Sequence, residues 1–316
     1  MLERHDPRAT AMGAAAIILW STSVAFIRTL SEQLGPFSTV AFAYLFSGAV
    51  SVTAARMAPR GGGRLRRLPR RYLWGCGTLF VTYSACYCLA VGLAADRTQV
   101  LEVGLINYLW PSLTLLLSIP LLHHGARWFL LPGMLAATAG VVLATAQSGG
   151  LSPAGLWANA SAHALPYGLA LAGAIAWALY SNLARRWGGE GGGVPLFLLA
   201  SGLVVLPFRF VLREASSWSP RVAGEFLYMA VFVTVVAYVS WDWAMRKGDM
   251  VLVAALSYFT PLLSTLFSAV YLAVVPGPAI WVASVLVIAG AALCRLAVVD
   301  GKTSRGVGRE GPARGG

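Results

Sequence analysis

The sequence is short of charge, and of acid above all. Only 12 of its 316 residues are Asp or Glu, and 11% are charged, against about 25% in an ordinary soluble domain. A chain so poor in solvated groups cannot cover a globular surface, which excludes the common soluble classes. Cysteine and histidine are also scarce, with 4 of each. Cys76, Cys86, Cys88 and Cys294 all fall in apolar runs. Cys86 and Cys88, two apart, face different ways on a helix. No disulfide framework and no metal site follows, and no cofactor is expected. His5, His123, His124 and His163 lie in the first residues and the loops. The first ten residues are polar, and no cleavable signal peptide is expected ahead of the first apolar run. A net charge of +12 points to nucleic acid in a soluble chain. Here the basic residues lie between apolar runs or in the tails, so membrane topology explains them and no nucleic-acid partner is expected.

What is abundant is apolar surface: 58% of the residues are hydrophobic. Ten runs are long enough to cross a bilayer. They cover residues 11–30, 37–57, 72–93, 100–122, 128–146, 166–185, 194–212, 222–245, 250–273 and 278–298. The expected fold is therefore an all-α integral membrane protein of ten transmembrane helices. Placing the N-terminus in the cytoplasm leaves only Arg28, Arg97, Arg209, Arg213 and Arg221 of the 24 Lys and Arg outside. By the positive-inside rule both termini are cytoplasmic. The Arg-rich loop between the second and third runs dominates that bias and reads as a topology determinant. The Gly-rich run 188–193 lacks the Lys-Ser/Thr ending and preceding strand of a phosphate loop, and reads as a cytoplasmic turn.

One stretch departs from plain apolarity. Residues 102–114 carry Glu102, Asn107, Tyr108, Trp110 and Pro111 in the middle of a span. Polar groups there cost free energy unless they face protein or a cavity. Pro111 has no N–H, so the carbonyl of Asn107 loses its helical partner and the helix kinks. The pattern returns 150 residues later as Ser257, Tyr258, Thr260 and Pro261. Tyr108 then matches Tyr258, Pro111 matches Pro261 and Gly140 matches Gly290, an internal duplication. Residues 11–146 and 166–298 form two repeats of five spans each. The 1–10 and 299–316 segments are cytoplasmic tails, the latter expected to be disordered, and 147–165 is an external linker. Five is odd, so the second repeat enters the membrane inverted. A cavity is expected where the repeats meet, with Pro111 and Pro261 as kinks or hinges.

The candidate cavity groups are aromatic and hydroxylic. Trp20 and Trp177 sit well inside spans one and six, with Tyr180 one turn on from Trp177. Tyr83 and Tyr87 share one face of span three. Tyr108 and Trp110, two apart, cannot both face one narrow cavity unless the kink opens the helix. Asn107, Ser257, Tyr258 and Thr260 complete the set. Glu102, the lone acid of the first five spans, has three open readings: proton coupling, contact with a substrate amine, or a structural partner of Arg28 or Arg97. Asp242 lies four residues before Arg246, the spacing of a helical ion pair. Aromatic walls with few charges suit an aromatic or apolar solute through stacking, or an ammonium through cation–π contact.

These residues resemble a known family. The two halves look like the two EamA repeats of the drug/metabolite transporter superfamily. More closely they resemble the YddG-type aromatic amino acid exporters of bacterial inner membranes. Residues 19–22, 27–28, 31–32, 34–36, 102–104, 107–114 and 257–261 carry the likeness. The resemblance implies export of aromatic and other neutral amino acids from the cytoplasm, and an inner-membrane location. It points to Trp20, Tyr83, Tyr108, Trp110 and Trp177 as cavity residues.

The leading expectation is a secondary carrier working by alternating access; the scarcity of buried acids favours facilitated diffusion, and the alternative is a proton-coupled exporter of another metabolite or drug. One chain holds both halves of a pathway, so a monomer in the lipid bilayer suffices. A membrane-embedded lipid-modifying enzyme is the competing class. It would need a nucleophile, an acid/base pair or metal ligands within the membrane, and no His or spaced acidic pair lies in a span.

Overall fold

The computed structural model describes residues 5–57, 67–149, 153–271 and 279–299. Most of the Arg-rich loop and the tail from residue 300 lie outside these, as do the side chains of Arg28 and Arg97. Helix α1 spans Pro7–Leu34; Asp6 caps it by accepting from Arg8 N at 2.9 Å, and Pro7 opens it. Proline suits this place because a first-turn N–H has no helical partner. α1 stops at Gly35, whose φ of +89° disfavours any side chain. α2 (Pro36–Met57) follows at once, its first free N–H groups held by Glu214: Phe37 N donates at 3.0 Å and Ser38 N at 2.7 Å. Both helices replace expected runs, though α1 begins and ends about a turn further out than its run.

A π-helical turn, Tyr72–Cys76, leads into α3 (Gly77–Gly92). The fourth run is broken in two. α4 (Arg97–Asn107) ends where Tyr108 and Leu109 turn, and α5 (Trp110–Leu122) starts with Pro111 in its first turn. α6 (Leu130–Gly149) ends the first half. The expected linker is not all irregular: Pro153 opens a ten-residue helix, α7 (Pro153–Ala162). Then come α8 (Ala164–Trp187), α9 (Val194–Val211) and α10 (Pro220–Tyr228). A second π segment (Met229–Val236) joins α10 to α11 (Ala237–Lys247). α12 (Met250–Leu256) and α13 (Phe259–Tyr271) are bent by 42° at Ser257–Tyr258, repeating the break of α4 and α5. α14 (Ala279–Ala297) follows.

Among the described residues, with α4–α5 and α10–α11 each taken as one continuous stretch, seven helices are long and apolar enough to cross a membrane, and the α12–α13 pair makes an eighth if counted as one bent span. The ladder β1 (Gly125–Ala126) to β2 (Val298–Val299) departs from a purely helical expectation. It forms because the segment entering α6 and the segment leaving α14 lie side by side at one end of that packed pair.

Packing between the halves is reciprocal. α3 lies on α8, and α11 lies on α1. α5 meets α8, and α13 meets α1. α9 touches α3, and α2 touches the second π segment. α2 pairs with α9, and α6 with α14. Exchanging the halves maps this set onto itself. The two self-paired contacts are close because glycines face backbone. A Cβ on Gly290 would stand 2.3 Å from Ala137 N, and one on Gly140 would stand 2.8 Å from Ala283 O. On the other pair, Gly48 would meet Leu199 N at 2.7 Å and Gly202 would meet Leu45 N at 2.9 Å. Lipid tails are as apolar as leucine, so such close fit, rather than escape from water, drives helices together in a bilayer.

Candidate solute-binding site

Where α1, α3, α5, α8 and α11 converge, the side chains are aromatic. Trp177 of α8 is the hub. Its ring lies 4.6 Å from Tyr83, 5.9 Å from Trp20, 6.0 Å from Trp241 and 6.3 Å from Trp110. Trp20 also meets Tyr238 and Trp241 at 5.3 Å each. Trp110 crosses Trp241 at 87° and 5.2 Å. These spacings are those of stacked and edge-on pairs, which favour the ring quadrupoles. Tyr83 stacks parallel on Tyr87 at 6.1 Å, and the hydroxyls of Tyr44 and Tyr238 are 3.0 Å apart.

Burial grades along this group. Tyr44, Tyr83, Tyr87 and Tyr238 are half-buried, Trp110 and Trp177 are buried, and Trp241 and Tyr180 are fully buried. The deep end is tied by polar bonds. Trp241 Nε1 donates to Ser181 Oγ at 3.2 Å, and Asn182 Nδ2 donates to Thr114 O at 3.0 Å. Trp20 Nε1, Asn107 Oδ1 and Thr260 Oγ1 are buried and have no hydrogen-bond partner among the described residues. Such groups are costly in a dry interior, so each is a place for a polar ligand atom or water.

The structure brings Trp20, Tyr83, Tyr87, Trp110, Trp177 and Tyr180 into or against one aromatic group, with the Asn107 side chain beside Tyr83. It places Ser257 and Tyr258 elsewhere. Tyr258 is buried in a second cluster beside Leu115 and Val287, its hydroxyl 2.5 Å from Ser112 Oγ. Tyr108 packs against that second cluster and also lies within electrostatic reach of Tyr83 and Tyr87, so it borders both groups. Ser257 Oγ donates back to Ala254 O at 2.6 Å, satisfying itself within its own helix. Pro111 and Pro261 are buried in the first turn after their helix breaks. Tyr180 lies beneath the group, its hydroxyl donating to Asp242 Oδ1 at 2.9 Å.

Glu102 is fully buried away from this group. Tyr167 OH donates to it, and Asn159 Nδ2 donates to both of its oxygens at 3.2 Å. It therefore fastens α7 and α8 to α4. Trp241, Tyr238, Tyr44 and Phe80 were not singled out as site residues from sequence. Tyr238 and Trp241 stand three apart, on one helical face. That spacing is the signal the sequence holds for them.

The EamA-like transporter family matches the chain twice, over residues 8–146 and 164–296. The chain belongs to that family. Its relatives within and around the EamA family include the aromatic amino acid exporter YddG of Salmonella typhimurium strain 14028s, 35% identical over 92% of this chain and 97% of its own length. The protein of that name from Escherichia coli K12 is 34% identical over 93% of this chain and 99% of its own. That from Ancylobacter novellus is 32% identical over 91% and 97%. A solved crystal structure at 30% identity superposes with a TM-score of 0.74, covering 91% of this chain and 97% of that one. These EamA-family relatives are transporters rather than enzymes, and they imply a small-molecule solute.

Proposed function

We propose that the protein is a bacterial inner-membrane secondary transporter that exports aromatic and other neutral amino acids by alternating access. The observation that carries this reading is the aromatic group around Trp177, set beside helix breaks that recur in both halves. Its faces stack on a planar apolar side chain. The unpartnered Trp20 Nε1 donor and the Asn107 Oδ1 acceptor have the chemistry to meet the carboxylate and ammonium of an amino acid. In this reading ten spans form two inverted repeats with both termini cytoplasmic, and one chain suffices for the pathway. Reciprocal packing of the halves is what an axis in the membrane plane would produce.

Graded burial supports a site entered from the Tyr83–Tyr87 side and closed toward the cytoplasm. Transport is facilitative, since no carboxylate borders the aromatic group on its half-buried side among the described residues. A proton-coupled carrier is favoured by one observation only, the fully buried carboxylate of Glu102. Its two neutral donors fit a structural role better.

The test is uptake of labelled phenylalanine or tryptophan into liposomes holding the purified protein, with and without a pH gradient. Uptake indifferent to the gradient and lost in Trp110→Ala supports the reading. Uptake that follows the gradient and is lost in Glu102→Gln supports proton coupling instead. No uptake by folded protein removes the substrate class.

A further inference from the structure

Directly below the aromatic group, at the end bearing Arg185, Arg186 and Lys247, lies a buried polar knot. Asp242 Oδ1 accepts from Tyr72 OH at 2.7 Å and from Tyr180 OH at 2.9 Å. Asp242 Oδ2 accepts from Arg246 Nε at 2.8 Å, and Arg246 NH1 donates to Gly189 O at 2.7 Å. Tyr72 OH in turn accepts from Gly193 N at 3.0 Å. The Arg246 and Asp242 side chains are 6% and 1% exposed. Five hydrogen bonds thus join the π turn before α3, α8, α11 and the loop ahead of α9.

A buried ion pair is a poor source of net stability, because removing both charges from water costs as much as their attraction returns. Its value lies in specifying one arrangement, and in what happens when it opens. A closed end sealed by apolar side chains alone would expose them to water on opening. An end sealed by Asp242, Arg246 and two phenols exposes groups that water solvates well. Its closed and open forms then lie close in free energy, as alternating access requires. The surroundings agree. Tyr72 sits in a π turn, a distortion frequent at functional sites. The repeat-related helix of α11 is α3, and residues 72–92 carry no acid at all. The knot therefore belongs to one end of the pathway.

We propose that Asp242, with Tyr72, Tyr180 and Arg246, is the latch of the cytoplasmic gate, and that breaking it admits solute from the cytoplasm. The inference rests on the alternating-access reading above. Cys76 offers a native reporter. It lies one turn from Tyr72 in the same π turn, fully buried in the cluster that holds Tyr180 and Trp241.

The test uses full-length protein with Cys86→Ser, Cys88→Ser and Cys294→Ser, in membranes whose cytoplasmic face is exposed to an impermeant maleimide. Cys76 is expected to label slowly in this background and roughly tenfold faster or more in Asp242→Asn, the effect of weakening one charge-assisted knot on a two-state equilibrium. Tyr180→Phe, which keeps the ring and removes one donor, should give a smaller acceleration. It decides the matter if Asp242→Asn fails to fold. Unchanged labelling in folded Tyr180→Phe and Tyr72→Phe, with transport intact, overturns the latch and leaves the transport reading standing. Accelerated labelling in protein that carries no aromatic amino acid keeps the latch and removes the substrate class.

Discussion

The rings of Trp110 and Trp241 stand at 87°, with centroids 5.2 Å apart. Trp110 opens the second half of a broken helix in the first repeat, and Trp241 lies on an unbroken helix of the second. Their contact places the break directly against the floor of the aromatic group. Any rotation of α5 about the Tyr108–Leu109 turn must move the Trp110 ring across the Trp241 face. That coupling makes the pair the first place to perturb.

Trp241→Ala should cut uptake of labelled tryptophan by roughly tenfold or more, since it removes the floor ring and leaves a cavity. Trp241→Phe keeps an aromatic face and should retain a larger share of uptake. Initial rates in proteoliposomes, normalised to folded protein, check the ranking. Equal loss in both would assign Trp241 to hydrogen bonding with Ser181 rather than to stacking.

Gly290→Val should separate α14 from α6. Even a Cβ there would lie 2.3 Å from Ala137 N, and backbone cannot yield as a side-chain tip does. Overpacking of this kind costs on the order of 1–3 kcal/mol. A lowered thermal midpoint in detergent, with the aromatic group untouched, is the expected reading.

Glu102→Gln should leave the pH dependence of transport unchanged. An amide there retains an acceptor for Tyr167 and Asn159, so structure and uptake should survive. Glu102→Ala strands both donors, at a cost of roughly 1–3 kcal/mol. Faster hydrogen exchange in residues 153–162 would report the loosening of α7.

Glu214→Ala should fray the start of α2. The carboxylate accepts from Phe37 N, from Ser38 N and, at 2.6 Å, from Ser38 Oγ. Loss of a helix cap of this type costs about 1–2 kcal/mol. Glu214→Gln should recover part of it. Amide exchange at residues 37–39 measures both.

Much of this protein was decided by sequence alone. Apolar runs set the helices, because in lipid every backbone N–H and C=O must be bonded within its own segment. Pro111 and Pro261 placed the breaks, because a missing N–H acts locally. Register between the repeats paired Gly140 with Gly290, and the ion pair of Asp242 with Arg246 followed from spacing of four. Tertiary structure decided which side chains meet. Tyr258, the repeat mate of Tyr108, turned to Ser112 and the second cluster, while Trp241 and Tyr238 turned to the aromatic group. Two phenols from other helices reached Asp242. The reason is physical. A membrane helix is apolar toward its neighbours and toward lipid alike, so its pattern does not mark the inward face as it would in water. That rotation is set by where small residues let backbones approach, which is a property of helix pairs and not of one segment.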